Sequence, residues 1–486
     1  MIKPTPPFTH IHRAVLVVGV VCLLTSVTPA AQTLVVTNTN NDGAGSLREA
    51  ILTANATAGL DTIIFNIPGS GVKVINPQTM LPEITDPVVI DGTTQPGYAG
   101  SPVIVLDGNG LSDASGLVIR SGGSTVRGLA IGRFSSIGIV LRDQGNNVIQ
   151  GNYLGVDAAG NALPNNTGVN ITASSNNFIG GTTAAARNII SGNQFGISLA
   201  GTDNVIQGNF IGTNPAGTEA RPNTSWGVQI ASEAATNNLI GGTAPGAGNL
   251  ISGNQGGILT VAGGTTVQGN LIGTDVTGTK KIQNETGVDA RVPNILVGGL
   301  TPGARNVISG NVFGIFIGGT GSKLQGNFIG TDITGTLPLG NVNNGVTAFD
   351  NALIGGTVPE ARNVISCNAV TTGFGNISLP SNTSGPVTVQ GNYIGTDVTG
   401  TRAITTSTSG IWISSLNNVI GGTAPGAGNV LSGTGIGIQL EGTISKNITG
   451  TVIHGNLIGL NASGTGQLPN FIGIRLDNAS NNTIGG

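Results

Sequence analysis

Charged side chains are scarce in this chain, and the densest group of them lies between residues 91 and 143. Only 8% of the 486 residues are charged, so a local concentration is informative. Carboxylates held near guanidinium groups can serve as general acids and bases, and two carboxylates can flank a glycosidic bond that is cleaved. The candidate catalytic residues are Asp91, Asp107, Arg127, Arg133, Arg142 and Asp143, with Arg120 nearby. The alternative is a set of ordinary salt bridges on a solvated surface.

A second set of carboxylates recurs at one position of a repeated segment. It consists of Asp157, Asp275, Asp332 and Asp397, with Asn214 and Asn461 in two further copies. Asp275, Asp332 and Asp397 are candidate calcium ligands. However, loops two coils apart are separated by roughly 9–10 Å, whereas Ca²⁺ needs oxygens at roughly 2.3–2.6 Å. A turn closed by the side chain explains Asp and Asn equally, so we predict no metal and no cofactor, with Ca²⁺ as the alternative.

Two aromatic residues are candidates for ligand binding. Phe316 and Trp412 occupy the variable position of a Gly-apolar-x-apolar segment, which faces outward if the segment is a strand. Exposed aromatic rings can stack on sugar rings. The alternative is that they are isolated surface aromatics without a ligand.

These candidates must be positioned by two motifs that alternate along the chain. The first, typified by GNFIGTDITGT, starts at Gly151, Gly208, Gly269, Gly326, Gly391 and Gly455. The second, IGGTxPGAxNVISGN, has its double glycine at Gly180, Gly241, Gly298, Gly355, Gly421 and Gly485. A Gly-apolar-x-apolar segment recurs at about half this period. The repeat unit is therefore two coils of alternating type.

Each coil is predicted to contain three short strands. Apolar residues alternate with variable ones, as in strands, and Gly and Asn suit the corners between them. We therefore predict an all-β fold, a parallel β-solenoid with inward aliphatic residues and hydrogen-bonded Asn ladders at the corners. The surplus segments, GTDxTGTxxxxN and GTxPGAxN, should protrude along one or two sides and offer the best places for binding.

The first 130 residues differ from the repeats. Residues 1–31 combine Lys3 and Arg13 with the apolar run 14–27, which predicts an export signal rather than the alternative, a retained membrane anchor. Residues 32–130 should form an N-terminal cap and the first coils, with a short amphipathic helix from Ser46 to about Ala56. Residues 131–486 should be β-helix repeats, and we expect them to continue beyond residue 486.

The cysteine positions, the net charge and the hydropathy bear on disulfides, nucleic-acid partners and membrane segments. Cys22 lies in the export signal, which leaves Cys367 without a disulfide partner. Cys367 stands where other repeats have Gly, which favours a tolerated substitution over a reactive thiol. The net charge of −3, without a basic patch, argues against nucleic acid as a partner. Every apolar run after the signal is interrupted, so no transmembrane segment is predicted.

The N-terminal region resembles that of a known family. Residues 36–51, with the text VTNTNNDGAGSLREAI, are similar to the CSLREA-type region of bacterial secreted β-helix proteins, as are residues 61–69 and 91–98. The later coils look like right-handed parallel β-helix repeats of the pectate-lyase-like class. Gly45 replaces the cysteine of the motif, so no thiol role is implied there. The resemblance implies a single-stranded right-handed β-helix and export, but no particular activity.

Two functions follow as hypotheses. We expect an exported, non-catalytic rod, secreted or on the outer cell surface, that mediates adhesion or contacts glycans or cell-surface material. The alternative is a polysaccharide lyase or glycoside hydrolase on the same scaffold, using the carboxylates and arginines of the early coils.

Overall fold

The computed structural model describes residue 1 and residues 31–368, 375–404 and 408–485. The predicted export signal, including Cys22, lies outside the described residues except for its two end residues. No helix among the described residues is long and apolar enough to cross a membrane.

Three parallel sheets of short strands wind into one right-handed β-helix, which confirms the predicted fold. Each complete coil from Val88 onward places one strand in each sheet, next to the equivalent strand of the coil before it. Among the described residues, the three sheets have 16, 14 and 13 strands.

The first sheet comprises Thr33–Val36, Asp61–Phe65, Val88–Asp91, Thr125–Arg127, Val148–Gln150, Phe178–Gly180, Val205–Gln207, Leu239–Gly241, Thr266–Gln268, Leu296–Gly298, Lys323–Gln325, Leu353–Gly355, Thr388–Gln390, Val419–Gly421, Val452–His454 and Thr483–Ile484. The second comprises Lys73–Ile75, Ile104–Asp107, Leu129–Gly132, Tyr153–Leu154, Ile189–Ile190, Phe210–Ile211, Leu250–Ile251, Leu271–Ile272, Val307–Ile308, Phe328–Ile329, Val364–Ile365, Tyr393–Ile394, Val430–Leu431 and Leu457–Ile458. The third comprises Leu117–Ile119, Ile137–Arg142, Thr167–Thr172, Phe195–Leu199, Trp226–Ile230, Gly256–Thr260, Thr286–Ala290, Phe313–Ile317, Val346–Ala348, Ile377–Leu379, Ser409–Ile413, Ile436–Glu441 and Ile472–Asp477.

The helices are few and short. The α-helix Leu47–Ala56 begins after Ser46, whose hydroxyl accepts a hydrogen bond from the Glu49 amide at 3.2 Å. Its buried residues are the four expected from the sequence, Leu47, Ala50, Ile51 and Ala54. Single 3₁₀ turns occupy Gly92–Thr94, Ala184–Ala186, Pro302–Ala304 and Pro359–Ala361.

The interior of the rod is aliphatic and continuous. One cluster of buried side chains extends from Val36 in the first coil to Ile453 near the other end. Ile197 and Leu199, the apolar residues of one Gly-apolar-x-apolar strand, are fully buried, while Ser198 between them faces outward. Burying each such side chain contributes about 1.5–3 kcal/mol.

Asparagine ladders stabilise the corners, as predicted. At the corner between the first and second sheets, each side chain donates to the Asn of the next coil. This ladder consists of Asn152, Asn188, Asn209, Asn249, Asn270, Asn306, Asn327, Asn363, Asn392, Asn429 and Asn456. The same amides bond to backbone carbonyls, as Asn306 does to Val267. Buried amides are therefore satisfied along the whole corner.

The two protruding loops flank the second sheet. GTxPGAxN precedes one strand of this sheet, and GTDxTGTxxxxN follows the next. We refer to them as the proline loop and the aspartate loop. Successive aspartate loops are not isolated, since the amides of Val276 and Ile333 donate to Gly217 and Gly278 of the preceding loop at 2.9 and 3.0 Å.

Candidate functional site

The first candidate pair lies on the first sheet. Asp91 and Arg127 are opposite each other in adjacent strands, and their Oδ2 and terminal nitrogen are 2.5 Å apart. Asp91 also accepts from the amide and hydroxyl of Thr93. Burial acts to raise the pKa of Asp91, but the bonds from Arg127 and Thr93 outweigh it, and the pKa falls below its usual value. A carboxyl held ionised in this way is a poor proton donor at neutral pH.

The second pair lies on the second sheet. Asp107 ends the strand Ile104–Asp107, and Arg133 follows the adjacent strand Leu129–Gly132. The Arg133 Nε donates to Asp107 Oδ1 at 2.8 Å, and a terminal nitrogen donates to Oδ2. Both residues line a cavity of about 310 Å³, whose wall includes Val74 and Leu163.

The remaining candidates lie on a third side of the rod. Arg142 ends a strand of the third sheet and pairs with Glu83. Asp143 accepts from Arg120 Nε at 2.6 Å, and Arg120 also reaches Glu83 at 3.2 Å. Sequence analysis missed Glu83, which comes from an earlier coil and has no motif around it.

The six candidates therefore do not form one site. Asp91, Asp107 and Asp143 each pair with a different arginine, in three separate places. The arrangement neutralises the carboxylates and does not bring two of them to one bond, as glycoside hydrolysis requires.

The aspartate loops use their carboxylates internally. The Asp332 carboxylate accepts from the Thr334 hydroxyl at 2.8 Å and from the amides of Thr336 and Leu337 at 3.1 and 3.0 Å. Asn461 accepts from the equivalent groups of its own loop, so closing the turn requires an oxygen and not a charge. Asp275 and Asp397 bond in the same manner. Within the described ranges, no three His, Cys, Asp or Glu residues are grouped to hold a metal ion.

Five aromatic residues lie on the outer face of the third sheet. Phe316 and Trp412 are half-buried there, and the Trp412 indole donates to Glu441 Oε2 at 2.6 Å. Sequence analysis missed Phe195, Trp226 and Phe313, which also face outward from this sheet. Each immediately precedes the glycine of a Gly-apolar-x-apolar segment. Residues at this position also face outward, so the three aromatic residues could have been identified from the sequence. We name these five residues the aromatic face.

Arginine–aromatic pairs cover the outer face of the second sheet. The guanidinium carbons of Arg187, Arg305 and Arg362 lie 4.0, 4.1 and 4.2 Å from the ring centroids of Phe210, Phe328 and Tyr393, respectively. Each arginine Nε also donates to a glycine carbonyl of the next coil. These arginines are half-buried.

Repeats that have glycine in place of the arginine also lack the aromatic ring. Gly248 and Gly428 replace the arginine, and Leu271 and Leu457 replace the ring of the following coil. Comparing the copies within the sequence reveals this correlation. Where both are replaced, around Gly248 and Leu271, the surface has a groove of about 490 Å³.

Comparisons with known proteins identify no family. No protein-family model matches the chain, and no curated protein matches it significantly. Among solved structures, the chain is similar to the Dettilon tailspike protein at 17% identity, with a TM-score of 0.36 over 91% of this chain and 68% of that one. An alginate lyase from Paenibacillus sp. str. FPU-7 has 14% identity and a TM-score of 0.25, covering 92% and 99%. The surface adhesin PfbA of Streptococcus pneumoniae has 12% identity and a TM-score of 0.27, covering 93% of each chain. These low values assign no activity to the chain.

Proposed function

We propose that this chain is an exported, non-catalytic rod whose aromatic face contacts glycans or other cell-surface material. The observation that carries the proposal is the presence of five half-buried aromatic residues along the outer face of one sheet, with polar side chains between them. Gln229, Asp289 and Gln439 are among the outward polar residues of this sheet. Rings that stack on sugars, beside amides and carboxylates that bond to hydroxyls, suit glycan recognition.

Export is supported by two features of the sequence. An uncharged, mostly apolar run at residues 14–27 follows the basic residues Lys3 and Arg13, and the SLREA text resembles bacterial secreted β-helix proteins of the CSLREA type. Mass spectrometry of the chain expressed in a bacterial host tests this part, since removal of about 30 N-terminal residues accompanies export.

Glycan contact is tested by substitution on the aromatic face. Trp226→Ala and Trp412→Ala should weaken retention on an immobilised glycan that binds the native chain. Phe178→Ala is the matched control, because Phe178 is a half-buried, outward-facing ring on the first sheet. Equal weakening by all three substitutions contradicts a binding role for the aromatic face.

A polysaccharide lyase or glycoside hydrolase is the second candidate function. The supporting observation is the 310 Å³ cavity next to Asp107 and Arg133. Incubation with acidic and neutral polysaccharides in the presence of Ca²⁺ separates the two functions. Release of unsaturated or reducing ends that disappears in Asp107→Asn or Arg133→Ala overturns the non-catalytic proposal.

A further inference from the structure

The groove on the second sheet lies around Gly248 and Leu271, in one of the two repeats that lack both members of the arginine–aromatic pair. Its floor is apolar and includes Leu250, Leu271 and Val307. The proline loop around Pro245 forms one wall, and Ile333 of an aspartate loop lies among the lining residues. At about 490 Å³ it falls within the size range of small-molecule sites.

The groove is positively charged. Arg187 and Arg305 both line it, and no acidic residue is among the described residues that do. The Nε of each arginine is bonded to a backbone carbonyl, but their terminal nitrogens make no ion pair or hydrogen bond with described residues. Burial lowers the pKa of both arginines, which still leaves them cationic at neutral pH. Cationic donors beside an apolar floor match a ligand that is anionic at one end and apolar at the other.

We propose that this groove binds a small organic anion, in which a carboxylate or sulfate is carried on an apolar ring. The oxyanion pairs with the terminal nitrogens of Arg187, which stacks on Phe210 at one end of the groove, and the ring lies on the aliphatic floor. Arg305 stacks on Phe328, four strands further along the sheet, and is out of reach of the same oxyanion. Planar guanidinium groups bind carboxylate and sulfate oxygens through paired hydrogen bonds. The site is on a different sheet from the aromatic face and does not depend on the proposed glycan contact.

Three probes that share one ring test the proposal on the full chain. 2-Naphthoate and 2-naphthyl sulfate carry the two candidate anions, and 2-naphthamide is uncharged. Calorimetry or ligand fluorescence should show at least one anion binding about tenfold more tightly than the amide, as expected for charged hydrogen bonds. The stronger of the two anions identifies the preferred oxyanion. Equal affinity for all three probes overturns the proposal.

Variants locate the site and control for folding. Arg187→Gln should reduce anion affinity towards that of the amide. Arg362→Gln is the matched control, because Arg362 makes the same ring and carbonyl contacts but does not line the groove. Leu271→Phe, which restores a ring found in other repeats, should weaken all three probes by filling the groove. Equal losses in the Arg187 and Arg362 variants, or unchanged binding in Leu271→Phe, contradict the assignment.

Discussion

The guanidinium carbon of Arg305 lies 4.1 Å from the centroid of the Phe328 ring, and the two residues belong to neighbouring coils. Where this pair is present, the proline loop forms the 3₁₀ turn Pro302–Ala304. In the glycine copy, Gly246 instead adopts a φ of +81°, and a Cβ on Gly248 would come within 1.9 Å of the Gly269 carbonyl oxygen. One repeat position thus has two mutually exclusive loop structures.

The pair should contribute to stability as a unit. Arg305→Ala and Phe328→Leu should each lower the free energy of unfolding, and their double-mutant cycle should give a coupling of about 0.5–2 kcal/mol. The control cycle combines Arg305→Ala with Phe210→Leu, which are not in contact, and should give additive effects. Similar coupling in both cycles contradicts a specific stacking interaction.

Asn254, Asn284 and Asn311 belong to a second asparagine ladder, at the corner between the second and third sheets. Removing Asn284 from this ladder should lower the stability substantially. Asn284 donates to Ile251 and Asn311 and accepts from the amide and side chain of Asn254. Asn284→Ala leaves these buried groups without hydrogen-bond partners and should lower the free energy of unfolding by about 2–3 kcal/mol. The exposed neighbour Gln283 provides the control, since Gln283→Ala should change urea stability by less than about 0.5 kcal/mol. Comparable losses of unfolding free energy in Asn284→Ala and Gln283→Ala would show that the ladder hydrogen bonds do not cause the destabilisation.

The aspartate loop should need an oxygen rather than a carboxylate. Asp332→Asn retains the acceptor used in the Asn461 copy and should stay within about 0.5 kcal/mol of native stability. Asp332→Ala removes the acceptor and should cost about 1–2 kcal/mol. Thermal unfolding with and without Ca²⁺ checks the explanation. Stabilisation by Ca²⁺ that is lost in Asp332→Asn would favour a metal site instead.

Stability should decline in acid partly through Asp91. The pKa of Asp91 is lowered in the folded state. The ionised carboxylate therefore stabilises the fold at pH values above the pKa that Asp91 has in the unfolded chain. This stabilisation is lost as the pH falls through the pKa that Asp91 has in the folded chain. Native protein should therefore exceed Asp91→Asn in stability at pH 7, and the difference should shrink below about pH 4. Asp113→Asn controls for the loss of one exposed carboxylate. A difference that is constant from pH 7 to pH 3 contradicts this contribution.

The Cys367 thiol should be unreactive in the folded protein. Burial raises its pKa to about 12, so about one thiol in ten thousand is ionised at pH 8. Iodoacetamide should label Cys367 quickly only after unfolding, and peptide mapping separates it from Cys22. Ser445→Cys, at an exposed position, should be labelled readily in the native state. Rapid native labelling of Cys367 would refute its burial.

Local patterns predicted most of the scaffold. Alternation in segments such as Ile197-Ser198-Leu199 predicts which residues point inward, because strand periodicity is a property of neighbouring residues. The Ser46 cap and the Asn corners are likewise local signals. These elements are correct because the sequence specifies each of them within a few residues.

The candidate catalytic cluster could not be resolved in this way. Asp91, Asp107 and Asp143 are close in sequence, but a coil of about 30 residues turns through all three sheets, so small differences in position place them on different sides. Their partners come from adjacent coils, and Glu83 pairs with Arg142 two coils away. The stacking of Arg187 on Phe210 likewise depends on the loop structure that the residues just before Arg187 adopt.

The bond between Val276 and Gly217 joins loops of the same kind in alternate coils. Duplicating or deleting a complete pair of coils would therefore leave every junction between loops unchanged. Losing one coil would instead bring two coils of the same kind together and interrupt the alternation of the loops. The gene for such a rod can lengthen or shorten by recombination between equivalent repeats, but only in even steps.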